Sequence, residues 1–270
     1  MTTLDDNYVI SEFFPTQLSA TDIEMLVRSP YSFYAKKLLG LKKRESLATE
    51  PTLSEFGNFI HAVIEQYSKS YDNKLANKLP YLLDISSNQL KNGVFPAFTQ
   101  RNWQTKFIPI AKEFIEFDEE RRKISTIFSE LRGEMIIKVA DQDIKIVAIA
   151  DRIEVDNRGR AIIMDYKTGA IPSRKDVESG LSPQLIIEAI ICLEGGFDLQ
   201  INDVSSLVYI KIASNSPYIE TSEINLTLEE IRQHKIGMQS LLEYYVINKK
   251  FSLDIDLLKY NDYKHLARLP

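Results

Sequence analysis

Two carboxylates and a lysine stand out by type and spacing: Asp151, and then Asp165 and Lys167 in an Asp-x-Lys triplet. Each Asp lies in or at the end of an apolar run, Asp143 to Val155 for the first and Ala161 to Lys167 for the second. Both runs are rich in Ile and Val and read as strands. Residues two apart in a strand share a face, so Asp165 and Lys167 point into the same space, with Ala161 and Ile163 behind them. The polar stretch Asp156-Asn157-Arg158-Gly159 reads as the turn of a hairpin that brings Asp151 near Asp165. Such a cluster on a buried sheet is costly unless something pairs with it, and a divalent cation would remove most of the cost.

Hard oxygen ligands of this kind suit Mg²⁺ or Mn²⁺. His61 could add an imidazole, tilting the preference toward Mn²⁺, although a lone helical His is also a common structural residue. Neighbouring carboxylates keep Lys167 charged, so an orienting, electrostatic part fits it better than that of a base, with the metal acidifying a water. Gln184, at the start of the next helix, could position that water or a phosphate oxygen.

The elements that must hold these residues follow from pattern. Residues 1–18 read as an arm. Ser19-Ala20-Thr21-Asp22 is a capping-box-like start for a short helix to Arg28, and Pro30 opens a second helix that closes at Gly40. Lys36, Lys37, Lys42, Lys43 and Arg44 cluster there, either as a solvated helix end or as phosphate contacts. A helix is predicted over Ser54–Tyr71, with Gly57, His61 and Glu65 on one stripe and Gly57 permitting close approach of another segment. Residues 72–96 yield no clear element. Residues 97–125 read as helical with a kink or break at Pro109, and the charged segment Asp118 to Lys123 as its solvated face. Strands begin at Leu131. Residues 170–183 read as a loop carrying Arg174 and Lys175, Gln184–Glu194 as a helix, Val204–Ala213 as a strand, and Leu226–Lys250 as a long helix. The tail from Phe251 keeps enough apolar residues to pack. The alternation of elements is α/β with a mixed sheet.

Composition narrows the classes. Of 270 residues, 44% are apolar and 26% charged, the profile of a globular protein. No run is long enough to span a bilayer, and the acidic N-terminus does not read as a signal peptide. One cysteine, Cys192, excludes a disulfide framework and a cysteine-based metal cluster. A cytoplasmic setting is expected. A net charge of -5 does not advertise nucleic-acid binding, though a small basic groove would suffice for it. No phosphate-loop or dinucleotide fingerprint is present to power a motor.

Four stretches together resemble a known family. Gly57-x-x-x-His61-x-x-x-Glu65, Asp151-Arg152-Ile153-Glu154, Asp165-Tyr166-Lys167-Thr168-Gly169 and Pro183-Gln184-Leu185 look like the RecB-type nuclease domain of the PD-(D/E)xK superfamily, closest to the C-terminal nuclease domain of AddB. Ser29-Pro30-Tyr31-x-Phe33-Tyr34 and Tyr263-x-His265-Leu266-Ala267-Arg268 extend the likeness through nearly the whole chain. The resemblance implies a restriction-endonuclease-like α/β core, a central mixed β-sheet flanked by helices, with N-terminal helical segments. It implies a single nuclease domain over 1–270: an arm to 18, a mostly helical part over 19–125, a catalytic sheet core over 131–213, and a C-terminal helix and packed tail over 226–270. It further implies metal-dependent hydrolysis of DNA phosphodiesters beside a helicase in double-strand break repair. His61, Asp151, Asp165 and the carbonyl of Tyr166 would be metal ligands. Lys167, Gln184 and Glu65 would be the catalytic candidates. Lys36, Lys37, Lys42, Lys43, Arg44, Arg174 and Lys175 would be the DNA contacts.

Two departures bear on this. Many such domains hold an iron-sulfur cluster, but Ser29 stands where its first cysteine would be and the C-terminal cysteines are absent, so no cluster is expected. The helicase-like portion is also missing, so the chain is either a domain of a longer protein or a short relative. Two other readings stay open: a non-catalytic DNA-binding or scaffolding subunit, and a structural ion-pair cluster of the carboxylates with Arg152 and Lys167.

Overall fold

The computed structural model describes residues 8–11, 13–42, 52–72, 77–252 and 263. Its frame is a six-stranded mixed sheet built on one long hairpin, β3 (Ser125–Val139) and β4 (Gln142–Asp156). One edge of β4 carries β3 along its whole length. The other edge carries β2 (Gln17–Ser19), parallel, against Lys145–Val147, and β5 (Arg160–Lys167), antiparallel, against Arg152–Val155. β6 (Asp203–Ile212) lies parallel to β5, and β7 (Ile219–Ile224) closes the sheet antiparallel to β6. The parallel pair β5 and β6 needs a crossover, which α7 (Gln184–Leu193) supplies. A two-stranded ladder joins β1 (Tyr8–Ile10) to β8 (Lys250–Ser252). The expected α/β architecture with a central mixed sheet, flanking helices and N-terminal helical segments is the one observed.

Each face of the sheet has its own core. On the first, α1 (Ala20–Arg28), α7 and α8 (Leu228–Asn248) cover Ile144, Ile146, Ile163 and Leu207. On the second, α3 (Leu53–Lys69), α4 (Lys78–Asn92) and α5 (Ala97–Arg122) cover Met164, Tyr166, Val208 and Ile210. The alternation along β5 and β6 thus reads directly as two apolar layers. α7 is apolar nearly all round and buried from Leu185 to Cys192, as a helix wedged between sheet and α8 must be.

Helix starts follow their caps. Asp22 N–H donates to Ser19 Oγ at 3.1 Å and Ser19 N–H to Asp22 Oδ2 at 2.9 Å, which makes the expected capping box at α1. Thr52 with Glu55 and Thr227 with Glu230 do the same for α3 and α8. After Ser29, α2 (Pro30–Phe33) runs into a π-turn, Tyr34–Leu38, and Gly40 follows at φ +65°.

Several expectations are corrected. The arm contributes β1 and β2. The stretch without a clear reading holds α4. α5 ends at Arg122 and is one helix through Pro109, and the strand after it starts at Ser125 rather than Leu131. The loop 170–183 contains a short helix, α6 (Arg174–Glu178), opened by a Ser173–Asp176 capping box. β7 was not expected. Of the tail, β8 and Tyr263 are described, and Tyr263 packs on Tyr31 and Ala35 and donates to the Leu41 carbonyl. Leu257, Leu258, Tyr260 and Leu266 lie outside the described residues, as do Lys43 and Arg44.

The segment Asp118 to Lys123 is not simply a solvated face. Asp118, Arg152 and Glu154 have no exposed surface. Arg152 Nη1 donates to Asp118 Oδ1 at 2.6 Å and its Nε to Glu154 Oε1 at 2.7 Å. Arg122 completes Asp118 at 2.7 Å, and Arg121 completes Glu154 at 2.7 Å. α5 needs these charges because its last turns cross the β4 segment that carries Arg152.

Candidate active site

The hairpin has a fault where chemistry is expected. Ser129 pairs with Arg152 and Leu131 with Ala150, but Glu130 and Asp151 between them are not paired. Glu130 has φ +51°, and the alternation slips there: Ala148 and Ala150 enter the first core, then Ile153 does. A left-handed residue in a strand lets side chains on either side of the break face differently. Asp151 sits at this break. Its Oδ2 accepts the Tyr166 N–H at 3.0 Å and lies 3.7 Å from His61 Nδ1, so it caps the end of the β4–β5 ladder and meets α3.

On β5, Asp165 is 2% exposed. Lys167 Nζ lies 2.7 Å from Asp165 Oδ2 and 3.0 Å from Oδ1. Gln184 Nε2, at the first position of α7, donates to Asp165 Oδ1 at 2.7 Å, and Gln184 Oε1 accepts from Lys167 at 3.3 Å. An acid on one side and an ammonium on the other fix which way the amide faces. Burial, opposed by Lys167 and assisted by Asp151, pushes the Asp165 carboxyl up to about 6. Tyr166, on the other face, is buried, and its hydroxyl accepts from Arg152 Nη1 at 3.3 Å. Gly57 of α3 faces Thr168, and a Cβ there would collide with Thr168 Oγ1, so the close approach expected at Gly57 is to the residue after Lys167.

His61, Asp151, Asp165, Tyr166, Lys167 and Gln184 are therefore brought together. Glu65 is not bonded to them: it pairs with Lys69 one turn on, although its charge reaches Glu130. Lys37 pairs with Asp22 at 2.8 Å, and Arg174 with Glu178 at 2.6 Å. Lys36, Lys42 and Lys175 form no ion pair with the cluster among the described residues. Arg152, an alternative partner for Asp151 and Asp165 on sequence grounds, serves Asp118 and Glu154 instead.

Two acids escaped the sequence reading. Glu188, one turn after Gln184, is 1% exposed and accepts from Gln184 Nε2 at 3.3 Å, while its Oε2 has no partner. Burial, with Asp165 and Asp151 adding repulsion, raises it well above the ordinary carboxylate range. A lone acid in the run Gln184 to Leu193 was the visible signal. Glu130 left none, since its importance comes from the strand fault. Burial, then Asp151 and Glu65, push it up to about 7.

Raised carboxyls bind protons more tightly in the folded chain than in the unfolded one, so their contribution to stability is full below about pH 4 and lost as pH rises through the folded values. In EDTA, the melting temperature should therefore fall between about pH 4 and pH 7, the span set by Asp165 and Glu130. Scanning calorimetry across that range checks it, and a stability that climbs through the window in both wild type and D165N would contradict it.

A profile of the PD-(D/E)XK nuclease superfamily matches residues 17–246, which takes in every residue of the cluster. The chain belongs to this superfamily. Uncharacterized proteins of Rickettsia felis and Rickettsia bellii are 44% and 47% identical to it, over 98% and 95% of the chain but 36% and 33% of their own length. The chain thus spans about a third of the length of these relatives. One subunit of the ATP-dependent helicase/deoxyribonuclease of Streptococcus agalactiae is 26% identical over 65% of the chain and 16% of its own length. Among the described residues, no helix of this PD-(D/E)XK chain is long and apolar enough to cross a membrane.

The donor set can be tested against a divalent cation. As they stand, no three His, Cys, Asp or Glu groups among the described residues converge into a closed cage, and Asp165 Oδ1 is taken up by Lys167 and Gln184. Yet Asp165 Oδ2 is buried with no partner aligned for a hydrogen bond, and burial, with neighbouring carboxylates adding to it, raises Glu130, Glu188 and Asp165 above the ordinary carboxylate range. Hard oxygens and one imidazole around such an excess are the chemistry that fits Mg²⁺ or Mn²⁺.

Proposed function

We propose that the chain is a divalent-metal-dependent deoxyribonuclease that hydrolyses DNA phosphodiester bonds in double-strand break processing and recombinational repair. The observation that carries this is the Asp165–Lys167–Gln184 arrangement, an acid, an ammonium and an amide locked together at the end of β5. His61, Asp151, Asp165 and the Tyr166 carbonyl would hold Mg²⁺ or Mn²⁺, with no iron-sulfur cluster. The bound ion would polarise the phosphate and acidify a water. Lys167 has no lone pair to offer while charged, so it serves the reacting groups: it orients the attacking water or the scissile phosphate and offsets charge growing on the phosphate oxygens. Gln184 holds Lys167 and Asp165 at fixed separation. Asp151 aligns the backbone at Tyr166, and His61 ties α3 to it. Lys36, Lys37, Lys42, Lys43, Arg44, Arg174 and Lys175 remain candidate contacts for the DNA backbone. The name of the streptococcal relative supports a partner helicase, in the same polypeptide or beside it.

The test divides binding from chemistry. K167A should keep or slightly gain Mn²⁺ affinity while cleavage falls about a hundredfold or more, the scale of losing one preorganised electrostatic contact. H61A should lose Mn²⁺ affinity, with partial rescue at high Mn²⁺. Isothermal titration is run beside cleavage of labelled single- and double-stranded DNA in Mg²⁺, Mn²⁺ or EDTA. Metal binding lost in K167A and retained, with activity, in H61A would return His61 to a structural role. Absence of any divalent-dependent cleavage by the wild-type chain would sink the nuclease reading.

A further inference from the structure

Beside Lys167 opens a cavity of about 400 Å³ that runs past Gln184 to the end of α1. Arg28, Ser182 and Tyr209 line it, with Glu24 and Asp176. Arg28 is 154 residues from Ser182 in sequence, yet its Nη2 donates to Ser182 Oγ at 2.5 Å and its Nε to Glu24 Oε1 at 2.9 Å. An arginine on a last helical turn is ordinarily free to swing. This one is held by two bonds from two different elements, which presents Nη1 at a fixed place.

The charges lining the cavity balance, but the hydrogen-bonding groups do not. Arg28 Nη1 has no acceptor among the described residues. Ser182 is 2% exposed and uses its oxygen as an acceptor, which leaves its own hydrogen to give. The Tyr209 hydroxyl has no bonded partner among the described residues and is held in its protonated, donating form by burial, which raises its pKa. The two acids are already engaged: Glu24 accepts from Arg28, and Asp176 from both the hydroxyl and the N–H of Ser173. Three unspent donors beside the Lys167 ammonium describe a site waiting for oxygens that carry negative charge.

We propose that this cavity is a second phosphate subsite, receiving the phosphodiester adjacent to the one that Lys167 addresses, on the strand being cut. It rests on the nuclease reading and adds to it the way in which that strand is registered. Arg28 gives the charge-assisted bond, and Ser182 and Tyr209 complete the phosphate oxygens.

Fluorescence anisotropy with a labelled single-stranded oligonucleotide, titrated in EDTA over a range of salt, reads the subsite without cleavage. R28Q should bind about tenfold more weakly at low salt, the scale of a lost bond to a charged group. Its log-log salt slope should fall by about 0.7, one phosphate contact on a single strand. R28K, which keeps the charge, should restore the slope and so separates the effect from a folding defect. Y209F should weaken binding about threefold with the slope unchanged, since a neutral donor is lost. K235Q, the same change of charge on α8 in a pair with Glu194, should leave the slope alone. A wild-type slope in R28Q, or an equal fall in K235Q, overturns the subsite even if the protein cuts DNA normally. A protein that binds with the expected slopes and never cuts overturns the nuclease reading alone.

Discussion

D165A should abolish the proposed metal-dependent cleavage, lowering it at least about a thousandfold, because the site would lose a proposed ligand to an ion expected to contribute several kcal/mol of charge stabilisation. The same change should leave the fold intact and, at pH 7 in EDTA, make it harder to melt. Asp165 is 2% exposed and its carboxyl is pushed up to about 6, so ionising it at neutral pH costs the folded chain stability. D165N should share the gain in stability while remaining inactive. The opposite signs are the informative part: a residue kept for packing would lose stability when removed. Cleavage at wild-type rate in D165A, with unaltered circular dichroism, removes Asp165 from the site.

D118A should be among the most destabilising single substitutions in the chain, by about 3–5 kcal/mol, because it leaves Arg152 buried and half-paired. Arg152 has no exposed surface, and its Nη2 already lacks a partner, so nothing nearby can take over the charge. Replacing all three fully buried members with apolar residues, D118L with R152M and E154L, should recover most of the loss, since the desolvation penalty goes with the charges. Urea denaturation of wild type and both variants measures this. A D118A protein within about 1 kcal/mol of wild type would mean that water reaches the network and solvates Arg152 in place of the lost acid.

These two residues mark what the sequence could and could not reveal. Asp165 and Lys167 were legible because strand alternation alone puts them on one face, and Asp151 because a four-residue turn folds its strand back. Gly57 and His61 were legible as a stripe at helical spacing. Asp118 and Arg121 were not, because a charged run on a helix looks the same whether it meets water or a buried arginine 34 residues further on. The helix over Arg174–Glu178 was missed despite its Ser173–Asp176 box, since Pro172 and Gly180 bracket it with the residues of a loop. Glu130 became visible only with the register of β3 against β4, since a left-handed residue without glycine leaves no local trace.

The two cores touch opposite faces of one sheet, and that partition shapes how the chain can change over time. A substitution among Phe59, Phe107 and Phe114 is felt by α3, α4 and α5, while one among Ile23, Ile187 and Leu242 is felt by α1, α7 and α8. Distant sites without shared partners combine additively, so each layer can drift and repack with little compensation from the other. The exceptions are the positions along the seam at the end of β5, where Asp151 reaches α3 and Asp165 reaches α7. There a change on one side alters what the other side must hold, and the freedom enjoyed by both layers stops.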